Sequence, residues 1–262
     1  MELKKENPQN RKVQQYFDHI APSYAQRYHA TDHPYYCYFF GERLREAVRG
    51  FVFEGKKILD IGAGTGALYD FIQANTATFQ YIGTDLSPTM LRESHIPVAN
   101  QRIGSLPDLE MPARSFDGIF MLGVTTYMSR ADLETHLAAL QTLLAPDGRA
   151  VLSFTHRCSL DFHVRRLFRI LHFSKLVKPT KSRVIGQSFA TMAYCKTDIE
   201  QMLERHGFAI QRLEWMNQTV TPFNHLLPGA SVRMARWLKR VPSGRVLPFL
   251  SGDLLVVAGK KG

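Results

Sequence analysis

Cysteine is scarce in this chain: three of 262 residues, Cys37, Cys158 and Cys195. Their odd number and scatter match no metal-ligand spacing, so the expectation is reduced thiols, no metal site and a cytoplasmic setting. Each cysteine also reads as a small buried apolar residue. Long hydrophobic runs are lacking as well. Nowhere do about eighteen apolar residues follow one another, which argues against a membrane-spanning helix. The opening residues, Met1 to Pro8, lack the apolar stretch of a secretory signal. Acidic residues are outnumbered, 23 against 33 Lys and Arg, for a net charge of +10. That excess is local. Eight basic residues accompany one acid between 156 and 185, seven accompany one between 229 and 262, and the rest of the chain is net negative. No repeat or low-complexity tract is present, and 262 residues with 45% apolar content suit one domain with insertions.

The densest signal is at residues 58 to 66, Ile-Leu-Asp-Ile-Gly-Ala-Gly-Thr-Gly. A short apolar strand runs into three glycines and then into a helical pattern, Ala67, Leu68, Phe71 and Ile72. Glycine permits a tight turn and close approach of a ligand. The first N–H groups of the following helix favour an anionic group. Asp85 ends the next apolar run and can accept from two ribose hydroxyls. These features predict a nucleoside-containing cofactor lying across strand tips. Gly62, Gly64 and Ala67 also satisfy a dinucleotide pattern. Against that, the glycines fall as G-x-G-x-G, and Asp60 precedes them in the strand tip. A carboxylate there repels a pyrophosphate and suits a ligand with an amino group or fixed positive charge.

Four blocks follow in order: Leu59 to Gly66, Tyr81 to Leu91 (Tyr-Ile-Gly-Thr-Asp-Leu-Ser-Pro-Thr-Met-Leu), Ser115 to Gly123 (Ser-Phe-Asp-Gly-Ile-Phe-Met-Leu-Gly), and Leu143 to Leu152 (Leu-Leu-Ala-Pro-Asp-Gly-Arg-Ala-Val-Leu). In them the chain resembles the class I S-adenosylmethionine-dependent methyltransferases, of the small-molecule or quinone-biosynthesis type. The resemblance implies S-adenosylmethionine as cofactor and S-adenosylhomocysteine as product. Gly62, Ala63, Gly64 and Gly66 would pass beneath the methionine part, with Asp60 at its amino group. Asp85 would bind the ribose, and Leu86 and Met90 would flank the adenine. Family members often carry an acid after the third strand. Here Ile103, Gly104, Ser105 and Leu106 stand there instead, leaving that contact to Ser105 or backbone groups. Leu122 and Gly123 would end the fourth strand beside the methyl donor. The segment from Tyr16 to Tyr24 resembles the family's N-terminal cap, in which Tyr24, assisted by Tyr28, would close over the cofactor. Aromatic packing of a helix on the core is an equal reading of each.

Apolar runs alternating with helical stretches predict an α/β fold: a Rossmann-like, seven-stranded, mostly parallel sheet with helices on both faces. Strands are expected near 57–61, 80–85, 99–103, 116–121, 149–155, 208–215 and 253–259. Asp147-Gly148 reads as a turn before the fifth strand. The family resemblance implies that the last strand is antiparallel and inserts between the fifth and sixth. Helices are expected near 66–74, 88–93, 131–144 and 197–206, with Gly207 as a C-cap residue. We divide the chain into one domain, 1–262. It comprises a helical cap (1–50, with 1–10 frayed and breaks near Pro22 and Pro34), a cofactor core (51–155), a basic lid insertion (156–196) and a C-terminal part of the sheet (197–262) with a second basic insertion (221–250).

Residues 160–176 are amphipathic at helical spacing, and 231–241 repeat the design: Met234, Trp237, Leu238 and Val241 against Arg233, Arg236, Lys239 and Arg240. Either helix packs on the body with a solvated charged face, or it presents a surface to anionic lipid or an amphiphilic substrate. Nucleic acid is disfavoured, because Leu122-Gly123-Val124-Thr125 lacks the aromatic clamp of base methylases. Methyl transfer needs alignment and water exclusion, plus a base where the acceptor is a hydroxyl or protonated amine. His156, after the fifth strand, is the first catalytic candidate, Tyr127 could line the acceptor pocket, and His225 is a further candidate. A structural lid histidine is the competing reading of His156. Phe162, Phe168, Phe173, Trp215, Trp237 and Phe249 would give an apolar pocket or simply belong to the core. The expected function is methyl transfer to a small, apolar or amphiphilic acceptor, with oxygen favoured over nitrogen or carbon. One alternative is lipid or glycolipid methylation at a membrane surface. Another is a non-catalytic S-adenosylmethionine-binding protein acting through its basic surface. No obligate protein partner is expected.

Overall fold

The computed structural model describes residues 7–24, 34–76, 78–170, 191–240 and 246–261. Seven strands form one sheet in the order β3-β2-β1-β4-β5-β7-β6. They are β1 (Lys57–Ile61), β2 (Gln80–Asp85), β3 (Gln101–Ile103), β4 (Phe116–Met121), β5 (Leu144–Thr155), β6 (Phe208–Gln218) and β7 (Ser251–Lys260). β1 to β5 are parallel, and β7 lies antiparallel between β5 and β6. The chain steps outward from β1 to β3 and then returns to β4 on the other side of β1. This reversal opens a crevice at the C-terminal ends of β1 and β4, where open α/β sheets bind ligands.

The central strands are largely apolar because both faces are covered. Their side chains alternate between two cores. Leu59, Ile119, Leu152 and Val256 face α5 (Arg130–Leu143) and α7 (Lys196–Arg205), through Leu133, Leu137, Ile199 and Met202. Ile58, Phe120, Val151 and Leu255 face α2 (Pro34–Val48) and α3 (Ala67–Gln73), through Leu44, Leu68 and Ile72. A third, smaller cluster joins Val13, Tyr16 and Ile20 of α1 (Pro8–Tyr24) to Leu86 and Tyr127.

Local chemistry starts the helices where the sequence places them. Ser87 caps α4 (Pro88–Arg92) by accepting from Met90 N at 3.0 Å, with Pro88 in the first turn, where its missing N–H costs nothing. Ser129 and Asp132 form a reciprocal capping box on α5. Gly207 follows α7 with φ 75°.

Several expectations need correction. Helix α1 runs through Pro22 instead of stopping there. It also begins at Pro8, inside the stretch expected to be frayed, and Asn7 Nδ2 donates to Asp132 at 3.0 Å. β5 begins at Leu144, directly after α5. The Asp147-Gly148 turn is a bulge within it, marked by the register shift between Phe116↔Leu144 and Gly118↔Arg149. Cys158 and Cys195 are not reduced thiols: they form a disulfide with Cα atoms 5.7 Å apart, across a separation of 37 residues that sequence spacing could not reveal. The first basic segment contributes α6 (Leu160–Ile170), and the remainder of the expected amphipathic helix, including Phe173, lies outside the described residues, as does Tyr28. The second contributes α8 (Phe223–Leu226), α9 (Pro228–Leu238) and α10 (Val246–Leu250). On α9 Leu238 is buried but Met234 and Trp237 are exposed, so its apolar residues do not form one buried face. Among the described residues no helix is long and apolar enough to cross a membrane.

Candidate functional site

The crevice holds a cavity of about 280 Å³. Its floor is the glycine turn after β1. Gly62, Gly64 and Gly66 have φ of 71°, 56° and 80°, a region that side chains disfavour. A Cβ on Gly62 would come within 2.3 Å of Val124 Cγ2. The turn is tied to β2 by Gly62 and Ala63 N–H groups donating to Thr84 O at 2.7 and 2.9 Å. Gly66 does not line the cavity. A Cβ there would meet Ser94 and Ile96, so its absence serves packing at the start of α3.

Two carboxylates stand over this floor. Asp85 accepts from Gly64 N at 2.9 Å through one oxygen and from Ser87 N at 2.8 Å through the other. A carboxylate offers roughly four acceptor positions, so about two remain for a ligand. Burial pushes the Asp85 carboxyl up to about 6 from an ordinary 3.8, against the pull of those backbone donors. Asp60, at the end of β1, accepts from Tyr81 Oη at 2.6 Å. Burial pushes it up to about 7, and the nearby Asp85 adds to the rise. Two carboxylates held up in this way, Asp60 buried and Asp85 half-buried, suit a ligand bringing both hydroxyl donors and positive charge.

Leu86, Met90, Gly104, Ser105 and Leu106 line one end of the cavity, with His136 behind them. His136 Nδ1 lies 2.7 Å from Asp132 O, which can only accept, so that nitrogen carries the proton. Burial lowers the His136 pKa, which keeps the ring neutral and leaves Nε2 to accept from Ser105 Oγ at 3.3 Å. The Ser105 hydroxyl is therefore engaged with His136, and ligand contacts at this end fall to backbone groups.

At the other end are Leu122, Gly123 and Tyr127. Gly123 N donates to Ser153 Oγ at 2.7 Å. The cover comes from the N-terminal helices: Val13, Phe17 and Tyr24 of α1, and Tyr36, Phe39 and Phe40 of α2. Phe17 packs edge-on against Tyr127 with ring centroids 5.3 Å apart. Asp18 of α1 accepts from Ser87 Oγ at 2.6 Å and from Thr89 N at 3.3 Å, fastening the cover to α4. Arg43 of α2 also lines the cavity. Its guanidinium carbon lies 5.3 Å from the rings of both Phe39 and Phe40. Its NH1 is 2.9 Å from where a Cβ on Gly123 would be, and its buried Nε has no hydrogen-bond partner among the described residues.

Of the residues singled out in the sequence, the structure gathers Tyr24, Asp60, the turn from Gly62 to Gly64, Asp85, Leu86, Met90, the segment 104–106, Leu122, Gly123 and Tyr127 around one cavity. His156 is not among them. It is buried, with Nδ1 2.9 Å from Ser251 O and its ring 5.2 Å from Trp215, and burial lowers its pKa. His225 also lies off the cavity wall, 6.0 Å from the Tyr36 ring. Phe168, Trp237 and Phe249 are exposed, and neither they, Phe162 nor Trp215 line the cavity. Sequence reasoning missed Arg43, Phe39, Phe40, Val124 and His136. The aromatic run Tyr35 to Phe40 was a visible signal for the first three, but nothing local says which helical face turns inward.

The methyltransferase-domain family matches residues 59–150, the span from β1 to β5 that carries the floor and both carboxylates. Demethylmenaquinone methyltransferase of Tropheryma whipplei is 28% identical over 181 residues, covering 62% of this chain and 69% of its own. Among solved structures, magnesium protoporphyrin IX methyltransferase of Synechocystis PCC 6803 with bound SAH superposes with a TM-score of 0.61 at 16% identity, over 97% of this chain and 100% of that one. A TehB-like SAM-dependent methyltransferase of Corynebacterium glutamicum gives 0.57 at 18%, over 94% and 99%. The strand order, the cavity at its switch point and the matched span agree: residues 59–150 form a methyltransferase domain in the fold shared with S-adenosylmethionine-dependent methyltransferases, and S-adenosylmethionine is its methyl donor.

Proposed function

We propose that the enzyme methylates a small amphiphilic acceptor at an oxygen atom. The observation that carries this reading is the composition of the cover. Beside Gly123, the aromatic wall of Phe17, Tyr36, Phe39 and Phe40 is interrupted by the Arg43 guanidinium, whose Nε has no acceptor among the described residues. An apolar ring fits the wall. An acidic hydroxyl on that ring would meet Arg43 as an oxyanion, which supplies the nucleophile without a dedicated base. The relative's name, demethylmenaquinone methyltransferase, supports a quinone-like acceptor.

When bound, S-adenosylmethionine supplies a methyl carbon on a sulfonium, which leaves as a neutral thioether. This chain's part is to bind and align. Asp85 would accept from the ribose hydroxyls with the acceptor positions left by Gly64 and Ser87. Asp60 would face the amino group. Leu86, Met90, Gly104 and Leu106 would enclose the adenine, and Leu122, Gly123 and Tyr127 would border the methyl. Helices α1 and α2 would exclude water, which shortens the approach of the two reacting atoms. His156 has no part in this scheme, since its Nδ1 is engaged with Ser251 O outside the cavity wall.

The test is transfer of labelled methyl to a panel of hydroxynaphthoquinones, phenols, amines and unsubstituted quinones, with the methylated atom located by mass spectrometry. O-methylation of acidic hydroxyls is expected. R43Q should reduce kcat/KM at least tenfold, since a charged hydrogen bond contributes about 1.5–3 kcal/mol. Transfer to nitrogen or carbon would refute the oxygen assignment. With cofactor binding intact, absence of transfer to any component of a cell extract would favour a binding protein acting through its basic surface.

A further inference from the structure

Helix α9 has three distinct faces. Ser231, Ala235 and Leu238 are buried against the body. Arg236 and Lys239 turn to α2: the Arg236 guanidinium lies 5.3 Å from the Tyr38 ring, and Lys239 Nζ pairs with Glu42 at 2.5 Å and Glu46 at 3.3 Å. The third face is apolar and open to solvent. Met234 is 40% exposed and Trp237 61%. It continues through Leu227, the residue between α8 and α9, into α8: Phe223, Leu226 and Leu227 are 56%, 69% and 56% exposed. Two cations, Arg233 and Arg240, are exposed beside this stripe. At about 3.6 residues per turn Arg233 falls roughly 70° to one side of it, on the flank away from the buried face, and Arg240 follows just past the end of α9.

We infer that the exposed face of α8 and α9 docks on an anionic lipid bilayer. An apolar stripe containing Trp, set beside two exposed arginines with no ion pair among the described residues, has the arrangement of a helix lying in the plane of a membrane interface. Charge complementarity selects the occupant. The arginines on the outer flank call for a negatively charged surface, while Lys239, the cation that ties the helix to α2, is already matched by Glu42 and Glu46. The place in the fold is also apt. α8 touches Tyr36, which lines the cavity, through His225 at 6.0 Å, so the docked face adjoins the acceptor end of the site. The inference rests on the amphiphilic-acceptor reading and extends it: the acceptor would reach the cavity from the bilayer.

The test uses the full chain and flotation with phosphatidylcholine vesicles, with and without phosphatidylglycerol. Binding is expected only with phosphatidylglycerol and should weaken as salt rises. Tryptophan fluorescence should be quenched by brominated lipid, and W237F should abolish that quenching. L226E/L227E should remove flotation, and R233Q/R240Q should weaken it roughly fivefold per charge. These residues lie off the cavity wall, so calorimetric binding of S-adenosylhomocysteine and turnover of a water-soluble acceptor should be unchanged, which also verifies folding. Failure of the wild type to float, or flotation that survives L226E/L227E, would overturn the inference. So would the appearance, in light scattering, of a dimer that those substitutions break. Flotation without methylation of any amphiphilic acceptor would instead refute the functional reading alone.

Discussion

Asp60 shows how a single buried carboxyl sets a pH dependence. Its folded pKa of about 7 lies above the ordinary 3.8, so between these values the fold keeps a proton that the unfolded chain releases. Its contribution to stability is therefore lost as pH rises from about 4 to 7. A ligand ammonium beside it favours the ionised form and reverses that loss. Thermal stabilisation by S-adenosylhomocysteine should therefore grow from pH 5.5 to 8, and calorimetry near pH 6.5 should register proton release on binding. D60N should flatten the upper part of that profile. Asp85 acts differently, because it holds the turn and, in the proposed site, would also face the ligand. D85A should weaken S-adenosylhomocysteine at least tenfold, as it removes charged hydrogen-bond acceptors. G64R should act similarly by filling the floor. Unchanged affinity in both would overturn the assignment of this cavity to the cofactor. These two acids were legible in the sequence because the turn and the strand tips fix them through local bonds. Arg43 was not, since it reaches Gly123 only after α2 has packed across the sheet.

Among the elements, α1 carries the cover, and its attachment is a few contacts. Asp18 accepts from Ser87 Oγ and Thr89 N, both at the start of α4, which in turn follows Asp85. D18A should loosen α1, seen as faster amide exchange over residues 13–24, and raise the Kd for S-adenosylhomocysteine several-fold. Asp85 and the sheet would be untouched. A second local device, the Ser129 capping box, predicts that S129A costs about 1 kcal/mol of stability with little effect on binding. β1, β2 and β4 were readable to the residue, because a buried parallel sheet demands short apolar runs and these three have them, whereas β3, β5, β6 and β7 differ from expectation by two to five residues at an end. The course of α1 through Pro22 was not readable. A proline near a helix end loses few hydrogen bonds, and packing of Ile20 and Ala21 holds the last turn.

At the scale of the whole molecule, the Cys158–Cys195 disulfide ties the end of β5 to the start of α7. Closing a loop of 37 residues constrains the unfolded chain by about 3–4 kcal/mol in the entropic account. Reductant should lower the melting temperature by several degrees, and C158S/C195S should melt low and be indifferent to reductant. Three titratable thiols in non-reduced, denatured protein would show that the bond is absent. The pairing also removes the thiol argument for a reducing compartment. By itself, the sequence determined the strand-turn-helix floor, the two acids and, through four ordered blocks, the methyl donor, because each depends on residues within a few positions of one another. Only the tertiary structure decided the rest: the aromatic cover with Arg43, the displacement of His156 from the cavity wall, the disulfide, and the face of α9 turned to solvent. Those depend on which sides of distant helices meet, and helical periodicity marks a stripe without saying what it packs against.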